Sequence, residues 1–327
     1  MKLDIIGFLA VLGIIVGIFF GKDIAHAMTK QNSGYGSAYS KEQIAEFEER
    51  NRKWREEFEA ANPEGPPISE QEHADFKAWL DAQKRPAVRL APDAGGAITA
   101  DGTRLGGPVA LAEGQAWPVS KRGNKMEFLA QLDFATLPPL DGFPTDGVLQ
   151  FFILQDDDLW GMDMDNPQAS DVAVLYRPNS AGTEPMTPTP PVNPDESITP
   201  FWPHETRTNG VALNGTAFTD TMPYNHWMLD AKQDGNVRRP GFDQWEALLE
   251  SRDTAKPLVH QAGGYPVFVQ WDFRKPDKLD DYDTVLLRLT SDDYLMWGDA
   301  GEANFLIRSE DLAKRDFSKV IFWWDCS

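Results

Sequence analysis

Two stretches gather the side chains that could do chemistry. QDDDLWGMDMDN carries Asp156, Asp157, Asp158, Asp163 and Asp165, and SDDYLMWGDAGEAN carries Asp292, Asp293 and Asp299. Carboxylates at that density could hold a hard cation such as Ca²⁺ or Mg²⁺, or share a proton as acid and base. The spacing is not diagnostic: DMDNPQ opens like an EF-hand loop, then lacks the third acid, the glycine and the distal glutamate. Asp also builds turns by accepting backbone N–H groups two residues on, and Gly298 and Gly301 supply conformations closed to other residues. The turn reading is favoured. It predicts that Asp292 and Asp293 accept N–H groups of their own segment, between paired strands. The ligand reading instead sets Asp157, Asp292, Asp299 and Asn304 around Trp297, in a pocket where two halves of the chain meet. Trp160 and Trp297, each followed by Gly, serve either as core plugs or as the wall of that pocket.

Other chemistries lack their residues. No GxxxxGK[ST], GxGxxG after a strand, HExxH or GxSxG occurs, so phosphate-loop, dinucleotide, zincin and hydrolase readings have no support. His73, His204, His226 and His260 stand singly, and Cys326 is the one cysteine, which excludes a disulfide framework within the chain and four-cysteine zinc sites. No catalytic residue, metal ligand or cofactor is assigned. A formal charge of -20 repels phosphate backbones, so nucleic acid is not an expected partner and a basic protein is.

The elements that must position these residues follow from patterning. IIGFLAVLGIIVGIFF, Ile5 to Phe20, is an uncharged apolar run that spans about 24 Å as a helix. Residues 1–27 are therefore expected to be a transmembrane anchor. Ala25–Ala27 offers a signal-peptide cleavage site as the alternative, which would send the chain to the periplasm or outside. Lys2 on one side against Lys22 and Lys30 on the other tilts the following domain toward the cytoplasm of an inner membrane.

Residues 28–88 hold a Gly/Ser-rich spacer and two amphipathic segments read as a helical hairpin. Ser40 with Gln43, and Ser69 with Glu72, are placed as capping boxes, and Pro86 stops the second helix. From about Arg89 the texture changes to short apolar runs between Gly, Pro and Asp: EFLAQLD, VLQFFIL, VAVLY, VFVQWD, VLLRL, NFLIR and VIFWW. Two short helices, DQWEALLES capped by Asp243 and SEDLAKRD after Ser309, interrupt them. The fold class is α+β, with residues 89–327 as one sheet-rich domain and a Pro-rich insertion at about 178–223. A pattern recurs: LGGPV leads to FLAQLD and AGGYPV to LLRLT, each at a spacing of 26 residues, and each is followed by an acidic turn with Trp-Gly. This predicts an internal two-fold duplication. The FFI and FLI runs, however, lie before one turn and after the other.

GGYPVFVQ, LLRLTSDDYLMWGDAGEANFLIRSEDLAKRDFSKVIFWWDC and, upstream, EFLAQLDFATLPPLDGFPTDGVLQFFI together resemble the YwqG-like proteins, the DUF1963 family of bacterial domains. The resemblance covers roughly Arg89 to Cys326. It implies a single α+β domain with a duplicated, sheet-rich core, and brings no established activity or catalytic residue. Some relatives look like components of toxin and immunity loci, which implies a protein-binding role; with the apolar anchor, the acidic charge and the absent motifs, the expected function is a membrane-anchored, non-enzymatic binding module, immunity-like in kind. The alternative reading is a small-ligand or divalent-metal pocket protein, or a carboxylate-based enzyme.

Overall fold

The structure, a computed structural model, describes residues 41–61, 65–154, 158–179, 182–190, 202–233, 239–254 and 259–327. The apolar run Ile5–Phe20, the Ser40 cap, Asp156 and Asp157 lie outside the described residues. Among the described residues, no helix is long and apolar enough to cross a membrane. The chain divides into two compact units, Met1–Glu64 and Gly65–Ser327. Of the first, helix α1 (Lys41–Ala61) is described; Arg52 reaches Glu49 and Glu56 along its exposed face, at helical i−3 and i+4 spacing.

The second unit opens with helix α2 (Glu70–Ala82), capped as its sequence predicts. Ser69 Oγ accepts the Glu72 N–H at 3.2 Å, and the Glu72 carboxylate accepts the Ser69 N–H at 2.8 Å. Its apolar face is Phe76 and Leu80, and Phe76 stacks on Trp245 at 4.2 Å. Trp245 belongs to helix α5 (Phe242–Thr254), reached through the short helices α3 (His204–Asn209) and α4 (Trp227–Gln233). α5 begins at Phe242, so Asp243 lies in its first turn and is not its cap. In helix α6 (Ser309–Ala313) the N-cap position falls to Arg308, and Ser309 Oγ donates to Asp283 at 2.7 Å.

Ten strands form one antiparallel sheet: β1 (Arg85–Asp93), β2 (Arg104–Leu105), β3 (Glu127–Asp133), β4 (Val148–Ile153), β5 (Ala173–Arg177), β6 (Val211–Asp220), β7 (His260–Gly263), β8 (Thr284–Thr290), β9 (Glu302–Ile307) and β10 (Ile321–Asp325). Outward from the central pair β1–β6, one side runs β7-β8-β9-β10 and the other β2-β3-β4-β5. The two sides share local features. β3 bulges between Phe128 and Ala130, and β8 between Val285 and Leu287. A glycine pair at positive φ follows β2 (Gly106, Gly107) and ends β7 (Gly263, Gly264).

β6 was hidden: VALNGTAFTD lies within the stretch expected to be insertion, because its exposed, small and polar positions dilute the apolar alternation. VFVQWD, conversely, is not a strand. Its backbone is bonded by side chains instead: Val267 O accepts from Asn304, and the Val269 and Gln270 N–H groups donate to Asp325.

The sheet curls strongly. Phe151 on β4 and Phe305 on β9 have six strands between them, which a flat sheet would set about 34 Å apart. Their rings instead meet at 5.0 Å, inside one core to which all ten strands contribute. The outer strands are covered: Ser170 Oγ donates to Phe322 O of β10 at 3.2 Å, and Phe317 packs on Tyr176 of β5.

Candidate functional site

The segment Ser291–Gly301 is a closed turn between β8 and β9. Asp292 Oδ1 accepts the N–H groups of Tyr294 at 2.7 Å and Leu295 at 3.0 Å, and its own N–H donates to Leu295 O. Ser291 Oγ accepts the Trp297 N–H and donates to Gly301 O, while Gly298 sits at φ +54°. This is the turn predicted for Asp292 and Gly298; Asp293 is exposed at its tip. Asp299 is also exposed, with its backbone carbonyl accepting from Ser327 N.

Trp297 is fully buried in the main core. There it meets Trp160 at 5.2 Å and Phe322 at 5.9 Å. Asn304 belongs elsewhere. It alternates with Ala303 and Phe305 of that core and so lies on the opposite sheet face, donating to Val267 O at 2.8 Å. Asp157 lies outside the described residues. Trp160 and Trp297 thus share a core although one Trp-Gly turn follows β4 and the other precedes β9, which is the swapped order seen in the sequence.

The face that carries Asn304 holds a buried polar row in each half of the sheet. In one, Arg104, Gln131 and Gln150 face each other across β2, β3 and β4; in the other, Gln261, Arg288 and Asn304 do so across β7, β8 and β9. All six are at most 1% exposed. They bond the carbonyls of the loops that cover the sheet: Arg104 reaches Thr99, Gly102 and Pro108, Gln150 reaches Ala110, and Gln261 reaches Gly263 and Tyr265. A buried loop carbonyl without a partner costs about 1–3 kcal/mol, so these side chains make the loops possible.

A family model described as a domain of unknown function, DUF1963, matches residues 103–326. The chain belongs to the DUF1963 family. None of the curated proteins matches it. The DUF1963 match begins beside β2, yet β1 lies between β6 and β7, so the sheet is continuous only with the residues before the matched segment.

Beside the second polar row of the DUF1963 domain lie groups that the sequence did not single out. Glu302 and Asp325 are direct cross-strand partners, 3% and 8% exposed. Burial pushes both carboxyls above their ordinary range. For Glu302 the attraction of Arg288 offsets this only in part; for Asp325 the N–H groups of Gln270 and Val269 do. Arg288 Nε stands 3.6 Å from Glu302 Oε2, while its Nη2 donates to Val259 O. One signal was present in the sequence: an arginine inside the otherwise apolar LLRL is a buried charge that needs partners.

His260 Nδ1 accepts the Thr290 N–H at 3.2 Å, which leaves Nε2 to carry the ring proton, 3.1 Å from Asp292 Oδ2. Burial works to raise the Asp292 pKa. The contact with His260 and the two turn N–H groups outweigh it, so the carboxyl lies below its ordinary range.

An open cleft of about 540 Å³ lies on the same domain, lined by Asp165, Asn166, Gln168, Asp277, Lys278, Asp280, Asp281 and Arg308, among others. Asp277 and Leu279 hold left-handed backbone there, at φ +62° and +63°, in a tight hairpin closed by Lys275 and Lys278. Arg308 lies over the Tyr282 ring at 4.2 Å and pairs with Asp281. Four carboxylates against two cations leave the cleft acidic. Among the described residues, no group of three His, Cys, Asp or Glu could hold a metal ion.

Proposed function

We propose that this DUF1963 protein is a non-enzymatic binding module for a basic protein partner, immunity-like in kind, held at the inner membrane by a helix over Ile5–Phe20 with its domain in the cytoplasm. The acidic cleft carries the reading: Asp165, Asp277, Asp280 and Asp281 form a concave, solvent-open surface suited to lysine and arginine side chains. The net charge of -20 supports long-range attraction of such a partner. The predicted site residues weigh against chemistry at the 291–301 turn, since Asp292 is engaged by its own backbone and Asp299 faces solvent.

The test is a pull-down from detergent extracts at graded salt, run in parallel with a variant carrying Asp165→Asn, Asp277→Asn and Asp280→Asn. A partner that salt weakens and the variant fails to retain is expected. Equal retention by both proteins would exclude the cleft. Phosphatase fused to the C-terminus tests the topology, and activity there would place the domain outside the cytoplasm.

We further infer that the two sides of the sheet descend from one duplicated unit. Support comes from the mirrored strand order, the paired bulges and the paired polar rows. A crystal structure in which β2–β4 failed to superimpose in order on β7–β9 would refute it.

A further inference from the structure

The C-terminal strand is held through two acids that oppose each other. Glu302 on β9 and Asp325 on β10 are partners in register and project from the same face, where like charges directly opposite are destabilising. Asp325 does two further things: its Oδ1 accepts the Val269 N–H at 3.0 Å, and its Oδ2 accepts the Gln270 N–H at 2.8 Å. It therefore fastens the covering loop to β10, aided by Gln270 Nε2, which donates to Cys326 O at 2.9 Å. The nearest cation does not close on the pair. Arg288 Nε and Glu302 Oε2 are 3.6 Å apart and neither atom makes a hydrogen bond.

We propose that Glu302 and Asp325 form a pH-sensitive latch on the C-terminal strand, closed while the pair holds a proton and loosened once both carboxylates are charged. Every charged or titratable neighbour in contact with the pair enters this balance. Arg288 from β8 and His260 from β7 favour a charged Glu302, as does the Thr290 hydroxyl; Asp325 from β10 opposes it, and burial opposes it most. Asp292 contacts His260, and Asp220 faces Arg288. A carboxyl whose pKa is raised by folding contributes stability below its ordinary pKa, and that contribution is lost as pH climbs through the raised value. The latch is thus closed in acid and opens toward alkali.

Cys326 reports the opening. It is the single cysteine of the chain, half-buried next to Asp325 and packed toward Gly298. Its rate of reaction with an uncharged thiol reagent is measured on the full chain from about pH 5 to about pH 9. Dividing by the rate for an unstructured Asp-Cys-Ser peptide removes the titration of the thiol itself. The normalised wild-type rate is expected to climb several-fold with pH, and that of Glu302→Gln to stay flat. Parallel profiles in the two proteins, or a flat wild type, would overturn the proposal. Should Glu302→Gln fail to fold, hydrogen exchange of Ile321–Asp325 in the wild type decides it. Protection that falls with pH faster than intrinsic exchange predicts supports the latch, and constant protection refutes it.

Discussion

His260 Nε2 lies 3.1 Å from Asp292 Oδ2, joining the first residue of β7 to the turn after β8. The other oxygen of Asp292 holds the turn itself. One carboxylate therefore fixes both the shape of the segment 291–301 and its place on the sheet.

Asp292→Ala removes the acceptor of two backbone N–H groups and the partner of a buried imidazole, and should cost about 1–3 kcal/mol in chemical denaturation. Asp292→Asn keeps the acceptor oxygen and should cost less. Because folding lowers this carboxyl, its stabilisation is present above the ordinary carboxylate pKa and is lost as pH falls through the lowered value. The wild type should show that acid-side loss and Asp292→Asn a reduced one. A melting shift with Ca²⁺ in the wild type alone would instead favour a metal site.

Trp297 and Asp299 separate core from surface within a few residues. Trp297→Ala should cost about 3–5 kcal/mol, as for other buried aromatics. Trp297→Phe should cost clearly less, since the indole N–H makes no hydrogen bond. Asp299→Asn should fall within about 0.5 kcal/mol of the wild type. Urea midpoints for the three variants check the ranking, and a large effect at Asp299 would contradict it.

Gly264, at φ +71°, has no room for a methyl group: an added Cβ would stand 2.4 Å from Asp220 Oδ2. Gly264→Ala should destabilise by about 2–4 kcal/mol through backbone strain and overpacking together. Gly114 has a similar φ, +74°, with nothing near its Cβ. Gly114→Ala should cost only about 1 kcal/mol. Equal losses at the two sites would mean that crowding against Asp220 is not what fixes Gly264.

The α2 cap gives a pH signature of its own. The Ser69 backbone N–H, then the Ser69 hydroxyl and Arg239, hold the Glu72 carboxyl down to about 2. Its contribution is present above the ordinary carboxylate range and disappears as pH falls toward that value. Ser69→Ala should lower stability at neutral pH by about 1 kcal/mol, and Glu72→Gln should flatten the acid limb of a thermal titration.

What the sequence revealed was mostly local. The Ser69–Glu72 cap, the Asp292 turn and Gly298 each rest on contacts within a few residues, and each stands in the structure as read. The apolar runs of β3, β4, β8, β9 and β10 were legible because they are buried on both faces. β6 was not, because its half-exposed alternation is interrupted by Asn214 and Gly215. The Glu302–Asp325 pair and the two polar rows depend on register between strands far apart in the chain, which no local residue pattern displays. Trp160 and Trp297 each stand out in the sequence beside a glycine, but their meeting requires the curl of the whole sheet.

The central position of β1 has a consequence for the growing chain. RPAVRLAPD leaves the ribosome well before either of its neighbours, Val211–Asp220 and His260–Gly263, has been synthesised. Until then both of its edges are open templates for stray β-pairing, a hazard of long-range sheets during folding. Its composition answers that hazard: Pro86 and Pro92 lack an N–H to offer, and Arg85, Arg89 and Asp93 bring charge to a segment that finally lies in mid-sheet. Replacing those prolines with valine would leave the finished ladder room to form while making the nascent chain more prone to aggregate.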